Sequence, residues 1–468
     1  MIVKEVLLFL LISGVPKVHS ANYDRDRDCP AKGVSHPCSC TPVAIDCINR
    51  AIVGIPPAFT KTNWVFEKVD LSQNLLTRIP ARAFQYVNVS KIILSNNNIS
   101  SIEPDAFQPL QDQIKVLDLR NNKLTFLPEV LGKLHSLNVL DVSYNPIQYM
   151  NFTDNVMREL GDFINEFHFG DDNLKGWPES IHHLQMLRIL KFYGGSNEMD
   201  RIPITAFKGF EWTLEKLWMQ NTQLIAVPIA LQDLKSTNEL HFDNNVHVGD
   251  AGILIPAFAG LTDKLEVMSL ENNSLTTFPS VLLTLRQLHN LSLARNNLQF
   301  VSDQAVSVVG SNLTTVNLQA CGLDRIPGAL SKLEGIIDLD FSNNKITTIE
   351  KNDLQRMVNL QRLDMSENPL QYISRSTFYD LKRLQNLTLQ ETELYLVPYA
   401  ITNIPTLKTL DLTSSDTYIE CNCDLNWLYC YTTHNNTGLT IIGDCETIQM
   451  GIDRYARTRI PSVCPKIC

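Results

Sequence analysis

The sequence predicts an α/β solenoid with disulfide-bonded caps. A curved parallel β-sheet forms its concave face, and irregular, 3-10 or short helical returns form its convex face. Three observations predict it: a nine-residue apolar pattern recurs fifteen times, cysteines gather at both ends of the chain, and the opening residues read as an export signal.

The pattern runs apolar, two variable, apolar, variable, apolar, two variable, then a small polar residue. Clear copies are Ile114–Asn122, Leu265–Asn273 and Ile336–Asn344. The closing positions are Asn74, Asn97, Asn122, Asn145, Asp172, Gly195, Thr222, Asn245, Asn273, Asn296, Cys321, Asn344, Asn368, Thr392 and Ser415, at intervals of 23 to 28 residues. This is the leucine-rich-repeat signature. The apolar-variable-apolar segment is a short strand, and successive strands stack in parallel about 4.8 Å apart. One repeat cannot bury its apolar face alone, so neighbours share a continuous core. A buried Asn serves backbone groups as both donor and acceptor. Cys321 takes this position and reads as a buried ladder thiol; a reactive nucleophile is the sharper alternative. Gly195 has no side chain and an ionised Asp172 has only acceptors, so repeats five to seven are expected to be the least regular.

A second periodicity overlies the first. Asn74, Asn122, Asp172, Thr222, Asn273, Cys321 and Thr392 are followed six residues later by Pro80, Pro128, Pro178, Pro228, Pro279, Pro327 and Pro398. Proline fixes the return as an extended or tight turn and removes a donor. Tight and loose returns therefore pair into super-repeats of roughly fifty residues.

The ends set the compartment. Lys4, the apolar run Val6–Ile12 and Ser20 before Ala21 form a cleavable signal over residues 1–20. The run is too short for a membrane span, which needs about 20 residues. Of the 11 cysteines, four lie near the start, six near the end and Cys321 stands alone. In an exported chain such clusters read as disulfides, with zinc ligation as the competing chemistry. Eight N-x-S/T sequons fit the same compartment: Asn88, Asn98, Asn151, Asn272, Asn290, Asn312, Asn386 and Asn435. The domain reading is a signal at 1–20, an N-terminal cap at 21–62, the repeats at 63–419 and a C-terminal cap at 420–468.

The spacing C-x8-C-x-C-x6-C from Cys29 to Cys47, and the run Cys421–Trp427 followed by Cys430, Cys445, Cys464 and Cys468, resemble the cysteine-rich flanks of extracellular leucine-rich-repeat proteins. Toll ectodomains, Slit and the small proteoglycans are of this kind. The resemblance implies the pairings Cys29–Cys40, Cys38–Cys47, Cys421–Cys445 and Cys423–Cys464. That family's usual C-flank has four cysteines, which leaves Cys430 and Cys468 to a third bridge. The layout is also similar to arthropod secreted proteins of the luciferin 2-monooxygenase non-catalytic subunit type.

Composition narrows the function. Lys and Arg total 40 against 50 Asp and Glu, a formal charge of −10, which argues against a nucleic-acid partner. A mean hydropathy of −0.07 argues against a polytopic membrane protein. No G-x-S-x-G elbow, H-E-x-x-H helix or Gly-rich phosphate loop occurs, so neither catalysis nor a cofactor or metal is expected. His182 and His183 are adjacent on a return and read as a surface pair. Arg454, Arg457 and Arg459 read as a solvated face, with a heparin-like polymer as the alternative.

Most repeats place Asp, Ser, Asn or Thr between their two strand leucines. Repeats five to eight place His168, Lys191, Trp218 and His241 there, with Tyr193 alongside. Aromatics on a rigid sheet are the usual anchors of an interface, so these five residues are the candidate ligand site. Asn290 and Asn386 lie on strands, and no sequon occurs from 152 to 271. The expected role is a secreted non-enzymatic scaffold for a protein or glycan ligand. The alternative is a non-catalytic subunit, bound to a secreted catalytic subunit or to matrix.

Overall fold

The computed structural model describes residues 38–55, 65–299, 301, 312–417, 419–446, 448 and 450–464. Eighteen short strands form one sheet. They are β1 Ser39–Cys40, β2 Ala44–Asp46, β3 Val65–Asp70, β4 Asn88–Ile93, β5 Val116–Asp118 and β6 Val139–Asp141. Next come β7 Glu166–Phe169, β8 Ile189–Tyr193, β9 Lys216–Gln220, β10 Glu239–His241, β11 Val267–Ser269 and β12 Asn290–Ser292. The last six are β13 Thr315–Asn317, β14 Asp338–Asp340, β15 Arg362–Asp364, β16 Asn386–Thr388, β17 Thr409–Asp411 and β18 Thr440–Ile442. Only β1 pairs antiparallel, with β2; every later pairing is parallel and runs to the next strand in sequence. Both cysteine-rich ends thus add strands to the sheet. This is a leucine-rich-repeat solenoid.

Alternation along each strand separates core from surface. Phe167, Phe169, Leu190, Phe192, Leu217, Met219 and Leu240 are fully buried, while the residues between them face outward. The ladder beneath the strands is a chain of asparagines. Asn145 accepts from the Leu124 N–H (3.0 Å) and donates to the Leu119 carbonyl (2.9 Å), bridging to the repeat before it. Asn74, Asn122, Asn296, Asn344 and Asn368 do the same. The residue just before the ladder position is left-handed, as at Asn121, Tyr144, Asn244 and Asn343, with φ between 52° and 58°. Such a residue costs roughly 1–2 kcal/mol, and the turn it makes aims the next side chain into the core. Cys321 is fully buried and donates its S–H to the Leu293 carbonyl at 3.2 Å, while burial pushes the thiol pKa to about 12.

The ladder breaks where the sequence deviates. In repeat five the left-handed residue falls one position early, at Gly170 (φ 109°), and Asp172 turns out to solvent. A Cβ on Gly170 would collide with the Tyr193 carbonyl, so glycine alone fits there. Backbone bonds replace the missing side chain: Gly195 N–H donates to the Asp171 carbonyl at 2.9 Å and Ser196 N–H to the Leu174 carbonyl at 2.8 Å. Below the gap lies an aromatic cluster of Phe152, Phe167, Phe169, Trp177, Phe192 and Phe207. The irregularity is confined to the turns, because β8 and β9 have five residues each where β10 to β17 have three.

The proline period has a structural counterpart. Pro128, Pro178, Pro228, Pro279, Pro327 and Pro398 each stand immediately before a five-residue 3-10 segment, with φ between −62° and −75°. The tight return is therefore a 3-10 turn entered through an extended proline. One loose return, in the 27-residue interval from Asn145 to Asp172, has room for a helix, α1 Asp154–Gly161. It buries Val156, Met157 and Leu160.

The structure joins Cys38 to Cys47, Cys421 to Cys445 and Cys423 to Cys464. Cys40 and Cys430 are also disulfide-bonded, while Cys29 and Cys468 lie outside the described residues. The signal segment lies outside them too. In the C-terminal cap the Tyr431 hydroxyl and the Asn436 amide each donate, at 2.6 Å, to carbonyls of the last repeat, Ile404 and Leu407. Arg457 bonds Asp453 and the Thr432 carbonyl, so it serves the cap, while Arg454 and Arg459 are exposed.

Candidate functional site

Parallel, in-register pairing aligns the third strand position of every repeat into one row. Asp141, His168, Lys191, Trp218, His241 and Ser269 follow one another across β6 to β11. Four of the five candidate residues are thus consecutive along the outward face. Tyr193 sits two residues beyond Lys191 on β8 and stacks on Tyr144, with ring centroids 5.4 Å apart.

The row is held by charge. His168 lies between two carboxylates, its Nδ1 3.0 Å from Asp141 and its Nε2 2.7 Å from Glu166. Glu166 also takes the Lys191 ammonium at 3.0 Å. The Lys191 ammonium sits 5.1 Å from the centroid of the Trp218 ring. Trp218 stacks nearly flat on His241, with centroids 4.8 Å apart and planes at 4°. His241 ends the chain of contacts on Glu239 (2.9 Å) and Asp243 (3.7 Å), and Lys216 pairs with Glu239 at 2.7 Å.

Protonation follows from this packing. Burial opposes charge on His168, but bonds to Asp141 and Glu166 outweigh it and raise the pKa above 6.5. His241 is raised in the same way, burial being outweighed by Asp243 and Glu239. The His168 bond, acting against burial and helped by Lys191, holds Glu166 down at about 2. Asp141 is likewise held low by His168 in spite of its burial. Burial, with Asp141 nearby, lifts the Tyr193 hydroxyl to about 12. The site is two imidazole–carboxylate clusters, one at His168 and one at His241, joined through Lys191 and Trp218.

The aromatic anchors that the sequence predicts on the sheet are half-buried, and His168 has both ring nitrogens engaged and a side chain only 12% exposed. His168 therefore holds its neighbours rather than reaching for a ligand. Lys191, Tyr193, Trp218 and His241 keep outward edges. The partners Asp141, Glu166, Glu239, Asp243 and Tyr144 escaped the sequence reading. Their signal was the repeated Glu-x-His of Glu166–His168 and Glu239–His241, since residues two apart on a strand share a face. His182 bonds the Glu179 carbonyl and His183 pairs with Asp154, so that pair does not converge on a ligand. Among the described residues no cluster of His, Cys, Asp and Glu is disposed to hold a metal ion. Among them, too, no helix is long and apolar enough to cross a membrane.

A leucine-rich-repeat family model matches residues 65–112, 87–147 and 311–370. The human leucine-rich repeat-containing protein 66 is 34% identical over 36% of this chain and 17% of its own length. A human volume-regulated anion channel subunit is 26% identical over 37% of this chain and 21% of its own. The matched regions thus span about a fifth or less of these relatives. A solved leucine-rich-repeat protein of Leptospira interrogans superposes with a TM-score of 0.57 at 21% identity, covering 84% of this chain and 93% of that one. That likeness concerns the fold. The repeat matches at 65–147 and 311–370 and the superposition along most of the chain agree on a leucine-rich-repeat fold.

Proposed function

We propose that the chain is a secreted, glycosylated, non-enzymatic scaffold that captures a protein or glycan ligand on the outward face of β7 to β10. The Lys191–Trp218–His241 stack carries the reading. Large side chains fixed by ion pairs lose little conformational freedom on binding, and preorganisation of this kind favours affinity. The polar rows on either side, such as Asp118 and Asp141 before it and Ser269 and Ser292 after it, lack comparable anchors. Asn88, Asn290 and Asn386 open strands β4, β12 and β16, where glycans would flank this stretch and leave it clear.

The test is Trp218→Ala and Tyr193→Ala, assayed against the partner that copurifies with the native glycoprotein. A loss of about 2 kcal/mol with unchanged circular dichroism is expected. Unaltered affinity in both variants would move the site off the sheet. A partner that remains stoichiometric throughout purification would mark a subunit role instead.

A further inference from the structure

The tight return of repeat seven is aliphatic where its counterparts are polar. Ile225 and Ile229 follow the ladder position Thr222 by three and seven residues. The same two places hold Thr125 and Glu129 in repeat three, and Lys175 and Glu179 in repeat five. The turn buries Val227 and Ala230 and leaves Ile225 and Ile229 exposed. With Ile204 from the return before and Leu254 from the return after, they line a groove of about 500 Å³. Arg201 is the one charged side chain among the described residues that line it. Ile225 and Val227 give their N–H groups to the Asp200 and Gly252 carbonyls, at 3.3 and 3.0 Å, so the lining meets an occupant mainly with hydrocarbon.

Ile204 also borders a second hollow, where Trp212 stands among Lys208, Glu211, Asp233 and Lys235. Trp212 is 70% exposed and Ile204 59%. Ile255 is 66% exposed and opens the turn Ile255–Phe258, which packs against Ile229–Asp233. At about 200 Å² for a whole large side chain, Ile204, Trp212, Ile225, Ile229, Leu254 and Ile255 present roughly 600 Å² of apolar surface. That is the upper end of the largest patch on a typical monomer, and a standard interface takes about 800 Å² from each partner.

This face matches itself. A protruding ring and an aliphatic groove lie side by side, with Ile204 between them. A two-fold axis through Ile204 exchanges the two, so that each ring meets the groove of the other copy, as an isologous contact requires. A foreign partner would have to supply both a knob and a hollow. The charges match under the same rotation. Glu211 is engaged by the Gly209 N–H at 2.6 Å, whereas exposed Asp233 has no ion pair among the described residues and is left to face Arg201. The chain carries a net −10, which keeps copies apart elsewhere, but Arg201, Lys208 and Lys235 leave this face with no excess of negative charge. No N-x-S/T sequon falls between residues 152 and 271, so no sugar is anchored on it.

We propose that two copies of the chain associate through this face, Trp212 of each filling the aliphatic groove of the other and Arg201 of each pairing with Asp233 of the other. The contact lies on the return side and leaves the outward face of β7 to β10 open. It stands whether or not that face has a ligand.

Sedimentation velocity of the full chain at rising concentration, up to about 100 μM, tests the proposal. A concentration-dependent shift from monomer to dimer is expected. Trp212→Ala should weaken it about a hundredfold, because the two-fold removes two anchor rings and each typically costs about tenfold or more. Trp212 is exposed, so the variant folds, and circular dichroism checks this. Arg201→Asp and Asp233→Arg should each weaken the dimer about tenfold by setting like charges opposite one another, and the Arg201→Asp/Asp233→Arg double variant should recover it. A chain that stays monomeric at the highest concentration overturns the proposal. So does a dimer that Trp212→Ala leaves unaltered, or a double variant no tighter than either single one.

Discussion

At Asn245 one buried side chain closes three hydrogen bonds. Its carbonyl oxygen accepts from the Thr222 N–H and hydroxyl, at 2.9 and 2.6 Å, and its amide donates to the Met219 carbonyl at 3.0 Å. Replacing it with alanine strands these groups away from water, where each unsatisfied group costs about 1–3 kcal/mol. Asp172 occupies the same place in the repeat but is exposed, and its loss is expected to cost under about 0.5 kcal/mol. Urea denaturation of Asn245→Ala and Asp172→Ala should therefore separate them by at least 2 kcal/mol, by the same per-group cost. Equal midpoints would mean that the ladder does not hold the array together. Cys321 shows how far the position tolerates change: a thiol performs the donor half of the asparagine's role.

Strands β6 to β10 behave as one electrostatic unit, and the pKa directions fix its pH response. His168 is raised above its unfolded value of 6.5, so its contribution is complete below pH 6.5 and fades as pH climbs through the folded pKa. Glu166 is lowered from 4.5 to about 2, so its contribution is complete above pH 4.5 and is lost as acid approaches pH 2. The two overlap between pH 4.5 and 6.5, where the central strands are expected to be most stable. Thermal midpoints measured from pH 3 to 9 should peak in that window, and His168→Leu should flatten the alkaline side. A profile unaltered by that substitution would remove His168 from the network. This unit was only partly legible in the sequence. Strand position put His168, Lys191, Trp218 and His241 in a row, because period two and a constant register leave no other arrangement. The Glu-x-His spacing puts Glu166 and Glu239 on the face of their histidines, but which carboxylate each ring nitrogen meets depends on rotamers. The turn shift at Gly170 was equally hidden: the deviation at Asp172 could be read, but its cause one residue earlier and the aromatic cluster filling the gap could not.

The whole molecule is a row of nearest neighbours, so its ends need separate means of support. At one end Cys38–Cys47 closes the β1–β2 hairpin, which joins the array by pairing with β3; at the other Cys421–Cys445 and Cys423–Cys464 hold β18 and the helical cap. Removing such bridges from small secreted modules typically costs about 2–5 kcal/mol. Hydrogen exchange under mild reduction is expected to show protection lost first in β1 to β3 and in β17 and β18, while β11 to β13 hold. Simultaneous loss along the array would show that the caps add nothing. The repeats and both sets of cysteines were plain in the sequence because they recur or cluster. The continuation of the sheet into the caps was not, since neither β2 nor β18 carries the full nine-residue pattern.

That continuation also bears on how the sheet ends among the described residues. A stack that adds like units along one axis has no internal reason to stop, and each open strand edge invites another chain to join. Here the first of the described strands reverses direction and is only two residues long, a poor template for a parallel newcomer. At the far end the segment Ile452–Arg454 packs against β18, and Ile452 bonds the Gly443 carbonyl just past it. Among the described residues both tips of the sheet are thus poor templates for a further parallel strand, although the sheet between them has the spacing of a fibre.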